Sequence, residues 1–267
     1  MLNRKIILIL IVLSAIFSGA ALYIIKHYNL DTGNQQKLND TMQIIVVPYF
    51  APDSKLWNVI YNAADEYPGT IKYVIINPCS GPCGPVLSQD WDNVIETLTN
   101  KGIKTLGYVY TTSENFSSIN YYMKGPTVPT SGIFFDGEGS SDNEINFKQY
   151  ADYVHHLGGI VYINPGYNYT YVNGYLISGD ADVADIYEID SNSSHQIELN
   201  KEYSPWKVSV IIGNITDSQE MNYDLSEIAN KNIGISYLYT NPSYDELPTF
   251  FLDEIKQASS MKIQNGK

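Results

Sequence analysis

After Met42 the chain alternates short runs of β-branched and aromatic residues with longer stretches whose apolar residues recur every three or four positions. The first pattern predicts strands and the second predicts amphipathic helices. Strands are expected at 43–47, 72–76, 105–110, 131–136, 160–163, 183–187, 208–212 and 233–239. Helices are expected at 56–64, 89–100, 143–157, 218–230 and 244–258, with a weaker one near 117–123 and a short one near 195–201. The segment from 164 to 174 follows neither period. Eight strand–helix units in succession point to an α/β fold, the (β/α)8 or TIM barrel. The rival is an open, doubly wound sheet. It calls for a Gly-rich turn after the first strand, and here that turn reads Pro48-Tyr49-Phe50-Ala51-Pro52.

Before Met42 the pattern differs. Arg4 and Lys5 precede a charge-free, mostly apolar stretch at 6–25, which Lys26 and His27 close. About twenty such residues are enough to cross a bilayer as a helix. Ser18-Gly19-Ala20 also offers small residues for a signal peptidase, so a cleaved signal peptide is the alternative. The uncleaved anchor is preferred, because the apolar run continues through Leu22-Tyr23-Ile24-Ile25 and the leading positive charges hold the N-terminus inside. The expected organisation is an anchor or signal peptide at 1–26, a polar stalk at 27–41 and the barrel at 42–267. Both readings put the barrel outside the cytoplasm, on the membrane or secreted.

Composition narrows the function. A net charge of −13 without any basic stripe disfavours nucleic acid as a partner. The only cysteines, Cys79 and Cys83, are close enough to bridge, or they are two reduced buried thiols; lacking a nearby His or further Cys, they do not make a zinc site. Sequons at Asn39, Asn115, Asn168, Asn192 and Asn214 suit an exterior glycoprotein. His27, His155, His156 and His195 fall in the stalk or on expected helices, and neither H-E-x-x-H nor G-x-S-x-G occurs. No metal and no cofactor is expected, and nothing in the pattern fixes an oligomeric state.

In a barrel, chemistry belongs to the residues just past each strand. These are Tyr49, Asn77, Tyr110 with Thr111, Asp136 with Glu138, Asn164, Glu188, and Tyr239 with Thr240. Aromatic faces that stack on sugar C–H surfaces, amides that bond hydroxyls, and paired carboxylates make up a carbohydrate site. If strand conformation persists past the fourth tip, Asp136 and Glu138, two apart, face the same side. Each residue also has a plainer role open to it. Asp136 suits a helix cap or loop, Glu188 a solvated turn, Asn77 and Asn164 the fixing of turns before Pro, and most tyrosines simple packing.

Several pieces occur in order along these units: Pro48-Tyr49 with Trp57, Ile76-Asn77-Pro78-Cys79-Ser80-Gly81-Pro82, Gly107-Tyr108-Val109, Gly132-Ile133-Phe134-Phe135-Asp136, Asn164-Pro165-Gly166 and the strand from Asp185 to Glu188. In these the chain resembles the spherulin 4-like, or spherulation-specific, family. The resemblance implies a TIM-barrel glycoside hydrolase related to endo-α-1,4-polygalactosaminidases, acting on galactosamine-containing polysaccharide. By position, Asp136 matches the family's acid after strand four and Glu188 its glutamate after strand six. The family usually has Glu directly after that Asp; here Gly137 intervenes and Glu138 follows. Cys83 also interrupts the turn after strand two, and 111–114 lacks the usual tyrosine and arginine.

The expected catalytic residues are Asp136 as nucleophile or stabilising carboxylate, Glu188 as general acid/base and Glu138 as an auxiliary acid, the first two roles being exchangeable. Tyr49, Asn77, Tyr108, Tyr110, Asn164 and Tyr239 are the expected sugar-binding residues. A catalytically silent barrel that binds glycans or packs into an envelope is the alternative, and another α-glycosidase specificity is a third.

Overall fold

The computed structural model describes residues 40–110, 116–137, 144–166, 172–191, 193, 197–198 and 203–264. The expected anchor at 1–26, nearly all of the stalk, Glu138 and the sequons at Asn39, Asn115, Asn168 and Asn192 lie outside them. No helix among the described residues is long and apolar enough to cross a membrane.

Eight parallel strands close into a barrel in chain order. They are β1 Gln43–Val46, β2 Ile71–Ile76, β3 Lys104–Tyr110, β4 Gly132–Asp136, β5 Ile160–Asn164, β6 Val183–Asp190, β7 Val208–Gly213 and β8 Ile235–Leu238. β8 pairs with β1 through Gln43 beside Ile235 and Ile44 beside Ser236, which seals the sheet and rules out the open, doubly wound alternative. Helices α1 Leu56–Glu66, α2 Gln89–Asn100, α3 Phe116–Met123, α4 Glu144–His156, α5 Val172–Ser178, α6 Ser218–Asn230 and α7 Phe251–Ala258 complete the alternation.

The core follows from strands apolar on both faces. Val74, Ile75, Ile76, Leu106, Val109, Ile133, Phe135, Val161 and Ile163 are buried with zero exposure. Helices add one stripe each, as Trp57, Ile60, Ala63 and Ala64 do from α1. Inside the barrel, aromatic rings run across the strands. Tyr73 meets Tyr162 edge-on at 5.6 Å and Phe134 lies 5.2 Å from Tyr162.

The structure departs from the sequence pattern in three places. α5 begins at Val172 inside the segment expected to be irregular, where Gly174 interrupts the apolar period, and runs on past it to Ser178. Between β6 and β7 the described residues form a 3-10 turn at Pro205–Lys207; Ile197 and Glu198, inside the helix expected near 195–201, are not helical. The last helix starts at Phe251 and not near 244, because Tyr244 adopts the left-handed region (φ 56°).

Two local features aim the strand tips. Gly132 lets β4 lie tight against β5, since a Cβ there would come within 2.1 Å of the Ile160 carbonyl oxygen. In the resulting register Asp136 stands beside Asn164. In β6 the pairing with β7 slips, Asp185 lying beside Ser209 but Tyr187 beside Val210, so Ile186 is an extra residue. This β-bulge puts Asp185 and Glu188, three apart, on the same inner face.

Candidate active site

At the C-terminal ends of the strands a cleft of about 300 Å³ opens. Its walls include Tyr49 and Pro48 after β1, Asn77 and Ser80 after β2, Tyr108 of β3, Asp136 of β4, Asn164 of β5, Glu188 of β6 and Tyr244 after β8. Of the residues singled out from sequence, Asp136, Glu188, Tyr49, Asn77, Tyr108 and Asn164 converge here. Tyr110 and Tyr239 do not line the cleft. Tyr110, the last residue of β3, is about 45 % exposed. Tyr239 packs behind Tyr244, ring centres 4.7 Å apart, and fills the space above Gly213.

The carboxylates of Asp136 and Glu188 are joined by one amide. Asn164 Nδ2 donates to Asp136 Oδ1 at 3.0 Å and to Glu188 Oε2 at 3.1 Å. The Asn164 side-chain oxygen accepts from the Gly166 N–H at 3.0 Å, which fixes the orientation of the amide. Each acid also receives a phenol. Tyr108 donates to Asp136 Oδ2, and Tyr244 donates to Glu188 Oε1 at 3.3 Å.

Electrostatics acts on Asp136 and on the phenols around the pair. Burial pushes the Asp136 carboxyl above the usual carboxylate range, and the negative charge of Glu188 adds to this; the bonds from Tyr108 and Asn164 act in the opposite direction. The Tyr108 and Tyr244 phenols are raised too, first by burial, so both remain donors at neutral pH.

Gly137 ends the strand. Its φ of 78° turns the backbone out of the extended region, and its N–H donates to the Asn164 carbonyl at 2.7 Å. The premise that strand alternation carries on from Asp136 to Glu138 therefore fails at Gly137.

Below the acids lies Asp185, 1 % exposed. Ser209 Oγ donates to Asp185 Oδ1 at 3.0 Å and receives the Tyr162 hydroxyl at 2.6 Å. Asp185 Oδ2 is buried with no hydrogen-bond partner among the described residues. Burial first, and Glu188 second, raise this carboxyl well above its ordinary value.

Sequence reasoning did not assign a site role to Asp185, Tyr244 or Ser80. The bulge hides the inward face of Asp185, and Tyr244 lies in a stretch with helical periodicity. Ser80 was visible only as part of a short turn between two cysteines, Cys79 and Cys83, which form a disulfide. Among the described residues no group of three or more His, Cys, Asp or Glu is placed to hold a metal.

A closed (β/α)8 barrel with an amide-bridged acid pair at its C-terminal mouth belongs to the broad class whose chemistry is built on the βα loops. Residues 43–258 match the model of spherulation-specific family 4, and the chain belongs to that family. It is 29 % identical over 134 residues to spherulin-4 of Physarum polycephalum, an alignment covering 46 % of this chain and 39 % of that protein. The alignment thus spans well under half the length of this curated relative.

Two solved structures share the fold. Aspergillus clavatus Sph3 in complex with GalNAc superposes with a TM-score of 0.68 at 18 % identity, covering 82 % of this chain and 98 % of that one. A GH18 chitinase from Pseudoalteromonas aurantia gives 0.54 at 12 % identity, covering 81 % and 99 %.

Proposed function

We propose that this protein is a glycoside hydrolase acting outside the cytoplasm on galactosamine-containing, α-1,4-linked amino-sugar polysaccharide, within the chain and not from its ends. The observation that carries the reading is the shared amide: Asp136 and Glu188, from β4 and β6, are held by Asn164 in a cleft walled by Tyr49, Tyr108 and Tyr244. The GalNAc in the Sph3 complex supports an amino-sugar substrate. The disulfide suits a non-reducing compartment, and the apolar segment 6–25 is the means of attachment to the membrane.

The bridge also limits the spacing of the acids. One nitrogen within 3.0 and 3.1 Å of the two carboxyl oxygens keeps those oxygens no more than about 6 Å apart. Retaining enzymes hold their carboxyls about 5–5.5 Å apart and inverting ones about 6.5–9.5 Å, so the geometry favours retention.

Burial of Asp136 favours the proton there, which reverses the roles first expected. The Asp136 proton passes to the glycosidic oxygen as the C1–O bond breaks, and a Glu188 oxygen bonds to C1. Asp136 then takes a proton from water, whose oxygen attacks C1, and Glu188 leaves as carboxylate. Tyr244 and Asn164 hold Glu188 while charge leaves and returns to it.

The test is release of reducing ends from an α-1,4-galactosamine polymer. Asp136→Asn and Glu188→Gln should each lower turnover by roughly a hundredfold or more with the circular dichroism spectrum unchanged. Glycan binding without turnover, unaltered by either substitution, would support the silent binding barrel in its place.

A further inference from the structure

The turn between β2 and α2 is tied down far more firmly than a surface loop requires. The Cys79–Cys83 disulfide closes it. At its start, Asn77 Oδ1 accepts from the Gly81 N–H at 2.9 Å and Cys79 N–H donates to the Gly81 carbonyl at 3.2 Å. At its end, the Tyr121 hydroxyl of α3 donates to the Cys83 carbonyl at 2.9 Å. These ties hold Ser80 in the left-handed region (φ 56°), a conformation unfavourable for a residue with a side chain.

That conformation has a visible result. Ser80 Oγ donates to the Tyr49 hydroxyl at 3.3 Å across thirty-one residues of sequence. Tyr49 is anchored from the other side as well, its N–H donating to the Tyr244 carbonyl at 2.7 Å. Its ring stays about 40 % exposed and lines the same cleft as Asp136 and Glu188. An aromatic ring fixed at both backbone and hydroxyl, and still open to solvent, is a preorganised stacking surface. A sugar that lies on it does not have to order the ring.

We propose that the Cys79–Cys83 loop is a specificity-determining wall of the cleft, which through Ser80 fixes Tyr49 as the platform for one sugar ring beside the acid pair. The proposal rests on the glycosidase reading for the kind of ligand. Its contacts lie away from the Asp136–Asn164–Glu188 bridge, so the loop governs how substrate binds and not how the bond is cleaved.

The experiment compares wild type, Cys79→Ser/Cys83→Ser, Ser80→Ala and Tyr49→Ala on galactosamine oligosaccharides, with thermal unfolding recorded for each. Removing the disulfide should raise KM about five- to tenfold with kcat held within about twofold, and Ser80→Ala, which keeps the bridge, about threefold. Adding either change to Tyr49→Ala should cost little more, because all three act through one ring. An unchanged KM in the cysteine variant, additive losses, or a fall in kcat equal to the fall in kcat/KM would overturn the proposal.

Calorimetric binding of the same oligosaccharides separates it from the reading it rests on. Binding by wild type without turnover, weakened by the same factor in the variants, refutes the hydrolase and keeps the wall. Equal binding by wild type and the cysteine variant refutes the wall, and no binding by wild type refutes both.

Discussion

Tyr244 donates its hydroxyl to Glu188 from a backbone held in the left-handed region, at 3.3 Å and φ 56°. A large side chain in that conformation is uncommon and is sustained here by its surroundings. The ring packs on Tyr239 and the carbonyl accepts from Tyr49. Tyr244→Phe keeps that packing and removes one bond to a carboxylate, so kcat/KM should fall roughly tenfold while Tm stays nearly constant. An unchanged kcat/KM in steady-state assays would refute a role for this hydroxyl at Glu188.

Asp185 offers a different check, because burial and Glu188 favour its neutral form. Asp185→Asn imitates that form, so the pH–rate profile should keep its shape and turnover should stay within several-fold of wild type. A limb displaced toward acid would mean that the native carboxyl is ionised while the enzyme works. Asp185→Ala removes the acceptor of Ser209, and should lower stability by about 1–3 kcal/mol in urea unfolding.

Glu254 of α7 is fully buried, and it accepts from the Leu238 N–H at 3.1 Å. Burial raises its carboxyl from 4.5 to about 8. A folded value above the unfolded one means that its stabilising effect is complete below about pH 4.5 and is lost as pH rises to about 8. Glu254→Gln should therefore flatten the fall of Tm across that interval and gain most on wild type at the alkaline end. Parallel Tm curves for the two proteins would contradict this.

Gly132→Ala places a methyl group where the Ile160 carbonyl already stands. The strands must separate, at a cost of about 2 kcal/mol or more. Because Asp136 faces Asn164 across the same pair, kcat should fall along with stability, as paired denaturation and turnover measurements on the variant would show.

The barrel was legible because its strands are short, buried on both faces and separated by turn residues, so that even β4, only five residues long, stood out in sequence. Asp136, Asn164 and Glu188 could be read as strand ends, since position in a barrel is set by counting strands. Their connection could not be read, because it depends on the β4–β5 register and on how one amide is rotated. Tyr244 was hidden for another reason: a helical pattern cannot reveal that a single residue upstream of Pro248 has a positive φ. Likewise, period-two reasoning follows Asp136 to Glu138 only as far as Gly137, where the chain leaves the strand.

The extra residue at Ile186 makes β6 behave like a sentence with one inserted letter. Everything before it is read in one frame and everything after in the other. Loss of a single codon there would let the β6–β7 ladder run straight, with Asp185 still beside Ser209 and Glu188 still beside Ile211, two apart and on one face. The mouth of the barrel thus keeps both carboxylates inward with or without the inserted letter, and what the insertion sets is the length of chain between them.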